Sequence, residues 1–178
     1  MILSTSSETP TFRAARLEDL AAIDALERAE FDRFAYPYFA LRQLFDVHGP
    51  QWLIAEIEGQ LCGYSMVATS DGGTAWILGL AVDSRYHRRG YGGILLRSTV
   101  DRCRSAAVPQ ILLTVRPSDH PAVGLYRKSG FVRIEHDPDY FGPGEGRDVL
   151  ICRFDRPEPR PLTDTVTDPW QKERPGLR

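Results

Sequence analysis

The sequence lacks the features that would tie it to a membrane or to a framework of disulfides. No apolar run approaches the length that spans a bilayer, and the first residues lack the basic segment and long apolar core of a signal peptide. The chain has only three cysteines, Cys62, Cys103 and Cys152, which are far apart and form no C-x-x-C pair. This number and spacing indicate neither a disulfide framework nor a zinc site. We therefore expect mostly buried, reduced thiols in a cytoplasmic protein without a metal or a membrane contact.

The sequence also lacks an excess of basic charge. It carries 22 lysines and arginines against 24 aspartates and glutamates, a formal net charge of −2. A nucleic acid favours a broad basic surface, and the sequence shows no basic stripe with interleaved aromatic residues. Nucleic acid is therefore not an expected partner. A local basic cluster, Arg85, His87, Arg88 and Arg89, suits one multiply charged small ligand better than a polymer.

Length and composition predict one domain between two tails. The 178 residues, of which 42% are hydrophobic, are enough for one domain with a real core. Residues 1–10 are predicted to be a flexible N-terminal tail, and residues 11–154 the folded domain. Prolines and charges dominate residues 155–178, which are predicted to be mostly disordered. The docking of Trp170 stays open, either locally or on a partner subunit. The oligomeric state stays open as well, either a monomer or a homodimer.

Hydrophobic periodicity predicts an α/β domain with a mixed sheet. Strands are expected at 11–15, 52–57, 61–68, 75–82, 110–115, 131–135 and 148–154, and helices at 19–29, 40–47, 90–106 and 117–129. Hairpin turns make the first strands an antiparallel meander. The strand at 110–115 must lie parallel to the strand at 75–82, because a helical crossover joins them. Gly79 interrupts the most apolar strand, which often marks a bulge or a close backbone approach.

A glycine-rich turn joins the strand at 75–82 to the helix at 90–106. Its sequence is Tyr86-His87-Arg88-Arg89-Gly90-Tyr91-Gly92-Gly93. Such a turn aims backbone N–H groups and the positive end of the helix dipole at one point, which favours a phosphate. The Gly-Lys-Ser/Thr of a P-loop is absent, and Leu95 stands where a dinucleotide fingerprint needs its third glycine. A turn that only caps the helix is the alternative.

Two segments match the motifs of one enzyme family. The first, His87-x-x-Gly90-x-Gly92, follows the pattern Q/R-x-x-G-x-G/A, with histidine in place of glutamine or arginine. The second, Asp119-x-x-Ala122-x-x-Leu125-Tyr126-x-Lys128-x-Gly130-Phe131, follows N-x-x-A-x-x-L-Y-x-K-x-G-F, with aspartate in place of asparagine. Two motifs in the right order are far more specific than either alone. The chain thus resembles the GNAT acyltransferases over about residues 11–154.

This resemblance implies a fold, a donor and a set of site residues. The fold is a mixed central sheet of about six to seven strands with four helices, splayed between strands four and five, and the donor is acetyl-CoA. By resemblance Tyr126 is the general acid that protonates the CoA thiolate. The alternatives are a half-buried core tyrosine at Tyr126 and a plain helix N-cap at Asp119. The implied cofactor-binding residues are Leu80, Ala81, Val82, Arg88, Arg89, Gly90, Tyr91, Gly92, Gly93, Asp119 and Tyr126.

The position where relatives often carry a general base holds a threonine. In protein N-terminal acetyltransferases of this family a glutamate or histidine often precedes the valine of strand five, where this chain has Thr114. An α-amine with a pKa near 8 is roughly a tenth neutral at pH 7, whereas a lysine is neutral in about one part in 2,500. A site without a strong base therefore favours an α-amine. Water could relay the proton to Glu56, Asp71 or His136.

Two aromatic segments resemble the acceptor loops of N-terminal acetyltransferases. They are Phe34-Ala35-Tyr36-Pro37-Tyr38 and Asp139-Tyr140-Phe141. We expect Tyr38 and Tyr140 to flank the first residues of an acceptor peptide. The resulting hypothesis is an acetyl-CoA-dependent N-acetyltransferase that acts by direct transfer on a protein or peptide N-terminal amine. The alternatives are an acetyltransferase of small amines or amino acids, and a non-catalytic acyl-CoA-binding module.

Overall fold

The computed structural model of the chain describes residues 9–70 and 72–154. Predictions made for residues 1–8, for Asp71 and for residues 155–178, Trp170 among them, lie outside these ranges. The described residues form a seven-stranded sheet and four α-helices. The mixed α/β class and the expected numbers of strands and helices are therefore confirmed. The domain boundaries at residues 11 and 154 stay a prediction.

The strands lie in the order β1-β2-β3-β4-β5-β7-β6. Their bounds are Thr11–Ala14 (β1), Leu53–Ile57 (β2), Gln60–Thr69 (β3), Ala75–Val82 (β4), Gln110–Val115 (β5), Val132–Asp137 (β6) and Arg147–Arg153 (β7). The pairings from β1 to β4 are antiparallel and form the predicted meander. Strand β5 is parallel to β4, as expected, and β7 is antiparallel to both β5 and β6.

The four helices pack on the sheet through separate hydrophobic clusters. Their bounds are Leu20–Phe31 (α1), Tyr38–His48 (α2), Tyr91–Ser105 (α3) and His120–Lys128 (α4). Helices α1 and α2 bury Leu20, Ile23 and Leu41 against β2 and β3. Helix α3 buries Leu96 and Val100 against β5 and β7, and partly buried residues of α4 join this second cluster. All three cysteines are free and buried, as the sequence predicts.

Helix α4 begins at His120, three residues later than expected. The Asp119 N–H bonds to the Arg116 carbonyl oxygen at 2.9 Å, which closes a turn ahead of the helix. The Asp119 side chain then caps the helix, and Pro121 lies in its first turn, where a missing N–H does no harm. The predicted cap residues are thus in place, but they form a turn of their own before the helix.

Strands β4 and β5 separate partway along β4. Only residues 75–77 pair with β5, at residues 111–113, although β4 continues to Val82. At this point Met66 pairs with Gly79 and Val67 pairs with Ile77, so β4 carries one extra residue against β3. The irregularity predicted at Gly79 is therefore a bulge. Neighbouring side chains also approach this glycine closely, since an added Cβ would lie 2.6 Å from Met66 Cε. Because a bulge bends its strand, it accompanies the splay that opens a cleft between β4 and β5.

Candidate active site

The splay between β4 and β5 opens into a cleft of about 760 Å³. Its walls come from the end of α1 and the segment after it, the bulged half of β4, the end of β5, the start of α4 and the loop before β7. The cleft therefore joins residues from both halves of the chain. Those that matter for the chemistry are Glu27, Glu30, Arg33, Phe34, Tyr36, Leu80, Thr114, Arg116, Asp119, Tyr126, Phe141 and Arg147.

The open end of β4 offers main-chain groups to a ligand. Leu80 lines the cleft, and Leu80, Ala81 and Val82 pair with β3 alone. The edge of β4 that would face β5 therefore has main-chain groups without a strand partner. An extended ligand that carries amides can pair with such an edge.

The glycine-rich loop has the backbone of an anion site. Strand β4 leads through the 3-10 turn Ser84–Tyr86 to Gly90, which has a φ of 79° and directly precedes α3. The Gly90 carbonyl oxygen accepts the N–H groups of Gly93 and Ile94 at 3.1 and 3.2 Å. These bonds start the helical ladder, and the first N–H groups of a helix point away from it toward a capping group or a ligand. Among the described residues, no packing neighbour lies within 4 Å of a Cβ placed on Gly90, which leaves this side of the loop open to them.

The basic cluster beside this loop has structural contacts of its own. Arg85 donates to the Asp83 carboxylate at 2.7 Å. The guanidinium carbons of Arg85 and Arg89 lie 5.6 and 5.5 Å from the centre of the Tyr86 ring. His87 donates from Nε2 to the Val82 carbonyl oxygen at 2.6 Å and so holds the loop to the end of β4. The histidine that departs from the family pattern thus anchors the loop through its side chain.

Tyr126 and Asp119 lie on the α4 wall of the cleft. The Asp119 carboxylate accepts the Ala122 N–H at 3.1 Å, so this residue is the helix N-cap. The Tyr126 ring packs edge-on against Phe131, with ring centroids 5.9 Å apart. Burial, and then the charge of Asp119, raise the pKa of Tyr126 to about 12. The phenol therefore keeps its proton at neutral pH and can act as a proton donor.

The residues predicted to contact the acceptor differ in how they relate to the cleft. Thr114 lines it, so the place of the usual base holds a hydroxyl that cannot serve as one. Tyr38 opens α2 and is 46% exposed, and Tyr140 is 37% exposed with its ring 5.1 Å from Phe141. Among the described residues that line the cleft, neither tyrosine occurs, whereas Tyr36 does. The roles of Tyr38 and Tyr140 stay predictions.

The proton-relay candidates from the sequence have partners elsewhere. Glu56 accepts from Arg13 at 2.6 Å, and His136 Nδ1 lies 2.8 Å from Asp148 Oδ1. Neither Glu56 nor His136 is among the described residues that line the cleft. Asp71, the third candidate, lies outside the described residues.

Glu27 is a cleft carboxylate that the sequence analysis missed. It is 1% exposed, and burial raises its pKa. The Tyr64 hydroxyl donates to one of its oxygens, and the Tyr36 N–H donates to the other at 2.9 Å. The available signal was its position, since Glu27 shares helical spacing with the buried Leu20 and Ile23. A carboxylate on the apolar face of a helix predicts a buried polar partner.

Three arginines, which we call the arginine cluster, were also missed. Arg33, Arg116 and Arg147 place their guanidinium carbons 4.8, 5.6 and 5.0 Å from the centre of the Phe34 ring. Each of them also lies within ion-pair distance of Glu145. These residues come from three distant segments of the chain, so no local pattern could reveal the cluster.

Within residues 9–70 and 72–154, no three histidine, cysteine, aspartate or glutamate side chains are grouped so that they could hold a metal ion. Over the same ranges, no helix combines the length and the apolar character that crossing a membrane requires.

Comparison with known proteins agrees with this geometry. Residues 15–131 match the acetyltransferase (GNAT) family. A Bacillus subtilis protein provisionally named a ribosomal protein bS18-alanine N-acetyltransferase is 30% identical over 141 residues, which cover 78% of this chain and 91% of that protein. An N-alpha-acetyltransferase of Sulfurisphaera tokodaii is 27% identical over 145 residues, which cover 75% of this chain and 86% of that protein.

The fold has a solved counterpart in Ard1 from Thermoplasma volcanium. That crystal structure matches with a TM-score of 0.77 at 21% identity, and the match covers 83% of this chain and 99% of that chain. At this identity the likeness concerns the fold. The family match goes further, because it covers more than half of the chain and holds both the glycine-rich loop and Tyr126. The chain therefore belongs to the acetyltransferase (GNAT) family of acyltransferases.

Proposed function

We propose that the protein transfers the acetyl group of acetyl-CoA directly to the N-terminal α-amine of a protein or peptide. The observation that carries this proposal is the cleft at the splay, which places Leu80, Thr114 and Tyr126 around one cavity. The strand that forms one wall of this cavity leads directly into the glycine-rich loop. The relatives named as a ribosomal protein bS18-alanine N-acetyltransferase and an N-alpha-acetyltransferase support an α-amine as the acceptor. The three free, buried thiols support a cytoplasmic location.

Acetyl-CoA would lie along the open end of β4. The N–H groups of residues 88–93 would bind the pyrophosphate at the positive end of α3. The amides of the pantetheine arm would pair with the main chain of Leu80 and Val82, and Ala81 lies between them. Asp119 caps helix α4 and lines the same cleft. Its carboxylate would also contact the donor. This arrangement delivers the thioester to the α4 wall that carries Tyr126.

The proposed reaction is a direct attack of a neutral amine on the thioester carbonyl carbon. A main-chain N–H near Leu80 would stabilise the oxyanion that develops. The new C–N bond forms, the C–S bond breaks, and the departing thiolate takes the proton of the Tyr126 hydroxyl. The amine nitrogen loses its extra proton to water, and Tyr126 regains a proton from solvent. With a pKa of about 12, the phenol is protonated at the start of each cycle.

The α-amine suits a cleft that has Thr114 in the place of a base. At pH 7 the neutral fraction of an α-amine exceeds that of a lysine by a factor that corresponds to roughly 3 kcal/mol of apparent barrier. An enzyme without a strong base at this position gains that difference by selecting the less basic amine. Water at the mouth of the cleft is then sufficient to accept the proton.

Tyr38 and Tyr140 are proposed to flank the first residues of the acceptor peptide. Alanine at both positions is expected to raise the KM for a peptide more than the KM for acetyl-CoA. Unchanged peptide turnover together with an unchanged peptide KM would remove these two residues from the acceptor site.

The experiment that tests the proposal is the release of CoA thiol from acetyl-CoA with three sets of acceptors. They are peptides with a free N-terminus and no lysine, N-terminally blocked peptides with lysine, and small amines. The proposal expects turnover of the first set, and a large loss of that turnover in Tyr126→Phe. Tyr86→Phe is the matched control, because it removes a hydroxyl at the start of the loop, outside the described lining of the cleft, and keeps the ring that Arg85 and Arg89 contact.

Each other outcome contradicts a defined part of the proposal. Turnover of small amines alone would assign the enzyme to the other acceptor class. Turnover of the blocked lysine peptides alone would contradict the argument from amine pKa. Saturable binding of acetyl-CoA without turnover of any acceptor would leave a binding module.

A further inference from the structure

The arginine cluster carries more positive charge than its neighbours neutralise. In the described part of the chain, the ion pairs of Arg33, Arg116 and Arg147 all end on Glu145. Arg116 Nη2 and Arg147 Nη1 lie 3.5 and 3.7 Å from Glu145 Oε2, and Arg33 contacts the other oxygen. One carboxylate against three guanidiniums leaves an excess of positive charge at this corner of the cleft. Such a corner favours an anionic ligand.

Arg147 is the deepest member of the cluster. It is 6% exposed, and its guanidinium carbon lies 5.0 and 4.5 Å from the ring centres of Phe34 and Phe141. Within the described residues it donates hydrogen bonds through Nη1 alone, to the carbonyl oxygens of Gly146 at 2.7 Å and Glu145 at 3.3 Å. A guanidinium has five N–H donors in a planar fork, so donors of this cleft-lining group remain for a ligand. A carboxylate matches that fork in geometry and charge.

The cluster lies within reach of the reaction centre. Arg116 follows Thr114 by two residues, which is about 7 Å along an extended chain, and both line the cleft that holds Tyr126. An extended peptide advances by about 3.4 Å per residue. If the first residue presents its amine beside Thr114 and Tyr126, the second or third residue lies at the arginine cluster.

The opposite wall of the cleft carries an acidic group. Glu30 on α1 lines the cleft there. Glu27 lines the same wall, but its two oxygens accept hydrogen bonds from Tyr64 and Tyr36, and burial raises its pKa. Glu30 makes the cleft acidic toward α1, and the arginine cluster makes it basic toward the loop before β7. An acceptor that enters with a positively charged amine and a nearby carboxylate matches this distribution, whereas a basic residue after the amine would face the arginines.

We propose that the acceptor carries a carboxylate close to its reactive amine and that the arginine cluster binds this carboxylate. On a peptide the group is an aspartate or glutamate side chain at the second or third residue. On a small acceptor it is the free carboxylate of an amino acid or a dipeptide. The inference rests on the proposed function, because it places the carboxylate relative to the amine that is acetylated.

The test compares amidated peptides that differ only at residues two and three, with aspartate, asparagine or lysine there. We expect wild-type kcat/KM to be about tenfold higher for the aspartate peptide than for the asparagine peptide, and lowest for the lysine peptide. High salt is expected to narrow these ratios. An alanine dipeptide with a free carboxylate, compared with its amide, tests the second source of the anion.

Variants of the exposed arginines connect the preference to the cluster. In Arg116→Gln and Arg33→Gln, we expect the kcat/KM for the aspartate peptide, divided by that for the asparagine peptide, to move toward one. The control Arg104→Gln removes a similarly exposed arginine on α3 outside the cleft, and the ratio should stay at the wild-type value. The peptide series on wild-type protein decides the question even if a variant fails to fold.

The outcomes separate this inference from the proposed function. Equal turnover of the aspartate, asparagine and lysine peptides by wild type would contradict binding of an acceptor carboxylate by the arginine cluster. The proposal of N-terminal acetylation would be unaffected. Another outcome is turnover of the dipeptide acid, lost in Arg116→Gln, without turnover of any longer peptide. It would support binding of an acceptor carboxylate and contradict a protein or long peptide as the acceptor. Absence of turnover with every acceptor would overturn both.

Discussion

The Tyr64 hydroxyl on β3 donates a hydrogen bond to a carboxylate oxygen of Glu27 on α1, and both side chains are buried. The second oxygen of Glu27 accepts the N–H of Tyr36, which lines the cleft. One carboxyl group therefore connects the sheet, the first helix and the cleft wall. Burial raises the pKa of Glu27 and, together with the charge of Glu27, raises the pKa of Tyr64.

The first prediction concerns how the stability of the fold depends on the Glu27 carboxyl group as pH changes. Because its pKa is raised in the folded state, the stability it contributes is fully present below the unfolded pKa of about 4.3. That contribution is lost as the pH rises through the folded value. The free energy of unfolding of wild type, minus that of Glu27→Gln, should therefore fall as the pH is raised from 4.5 toward 8. Urea denaturation at a series of pH values measures this difference.

The matched control for the loss of one carboxylate is Glu18→Gln. Its side chain is 72% exposed and pairs with an exposed arginine, so the variant removes a charge without touching the core. A difference between wild type and Glu27→Gln that grows with pH would mean that the fold favours the ionised carboxylate. That result would contradict burial as the dominant influence on Glu27.

The second prediction concerns Tyr126 as the proton donor. A phenol whose pKa is raised to about 12 stays protonated throughout the range in which enzymes are assayed. The wild-type rate should therefore rise with pH as the acceptor amine loses its proton, and then level off, without a decline below pH 10 from this residue. Tyr126→Phe should lower kcat by about 10² to 10⁴ at every pH, with a Kd for acetyl-CoA close to wild type. A decline above pH 9 that the phenylalanine abolishes would contradict the raised pKa.

The third prediction contrasts two glycines in different surroundings. A methyl group on Gly79 would lie 2.6 Å from Met66 Cε and 3.1 Å from Glu27 Oε1, so Gly79→Ala should destabilise the fold by about 1 to 3 kcal/mol. Gly124 lies inside α4, and over residues 9–70 and 72–154 no atom beyond its own helix backbone is within 4 Å of its added Cβ. Gly124→Ala should stabilise the fold by about 0.5 to 1 kcal/mol. Urea denaturation of both variants measures the change in the free energy of unfolding and its sign. An unchanged stability of Gly79→Ala would contradict the close approach at the bulge.

Local sequence patterns predicted the strands that form the cleft, because each strand is a run of consecutive residues. The apolar run of β4 and the run of β5 appear in the structure with the predicted bounds, and Gly79 marks the bulge. The motifs also named Leu80, Asp119 and Tyr126, which line the cleft, but they did not predict its buried carboxylate or its arginines. Glu27 was detectable from its helical spacing alone, whereas the arginine cluster exists only because the fold brings Arg33, Arg116 and Arg147 together around Phe34. Charge excess in a cleft is a property of the assembled fold.

The last prediction separates backbone strain from donor binding at the glycine-rich loop. Gly90 and Gly59 have φ values of 79° and 76°, and in the described part of the chain neither has a packing neighbour within 4 Å of an added Cβ. Alanine at either position meets the same left-handed backbone, so each variant should lose about 1 kcal/mol of stability. Gly59 lies in the turn between β2 and β3, whereas Gly90 precedes α3 at the proposed pyrophosphate site.

Only Gly90→Ala should therefore weaken acetyl-CoA binding. Its methyl group would stand on the open side of the loop, where the phosphate oxygens must approach the backbone N–H groups. We expect the Kd for acetyl-CoA, measured by calorimetry, to rise about tenfold or more in Gly90→Ala, which corresponds to at least about 1.4 kcal/mol. Gly59→Ala should keep the wild-type Kd at the same loss of stability. If both variants bind the donor as wild type does, the pyrophosphate does not rest on this loop; if both lose affinity alike, the loss reports stability and not contact with the phosphate.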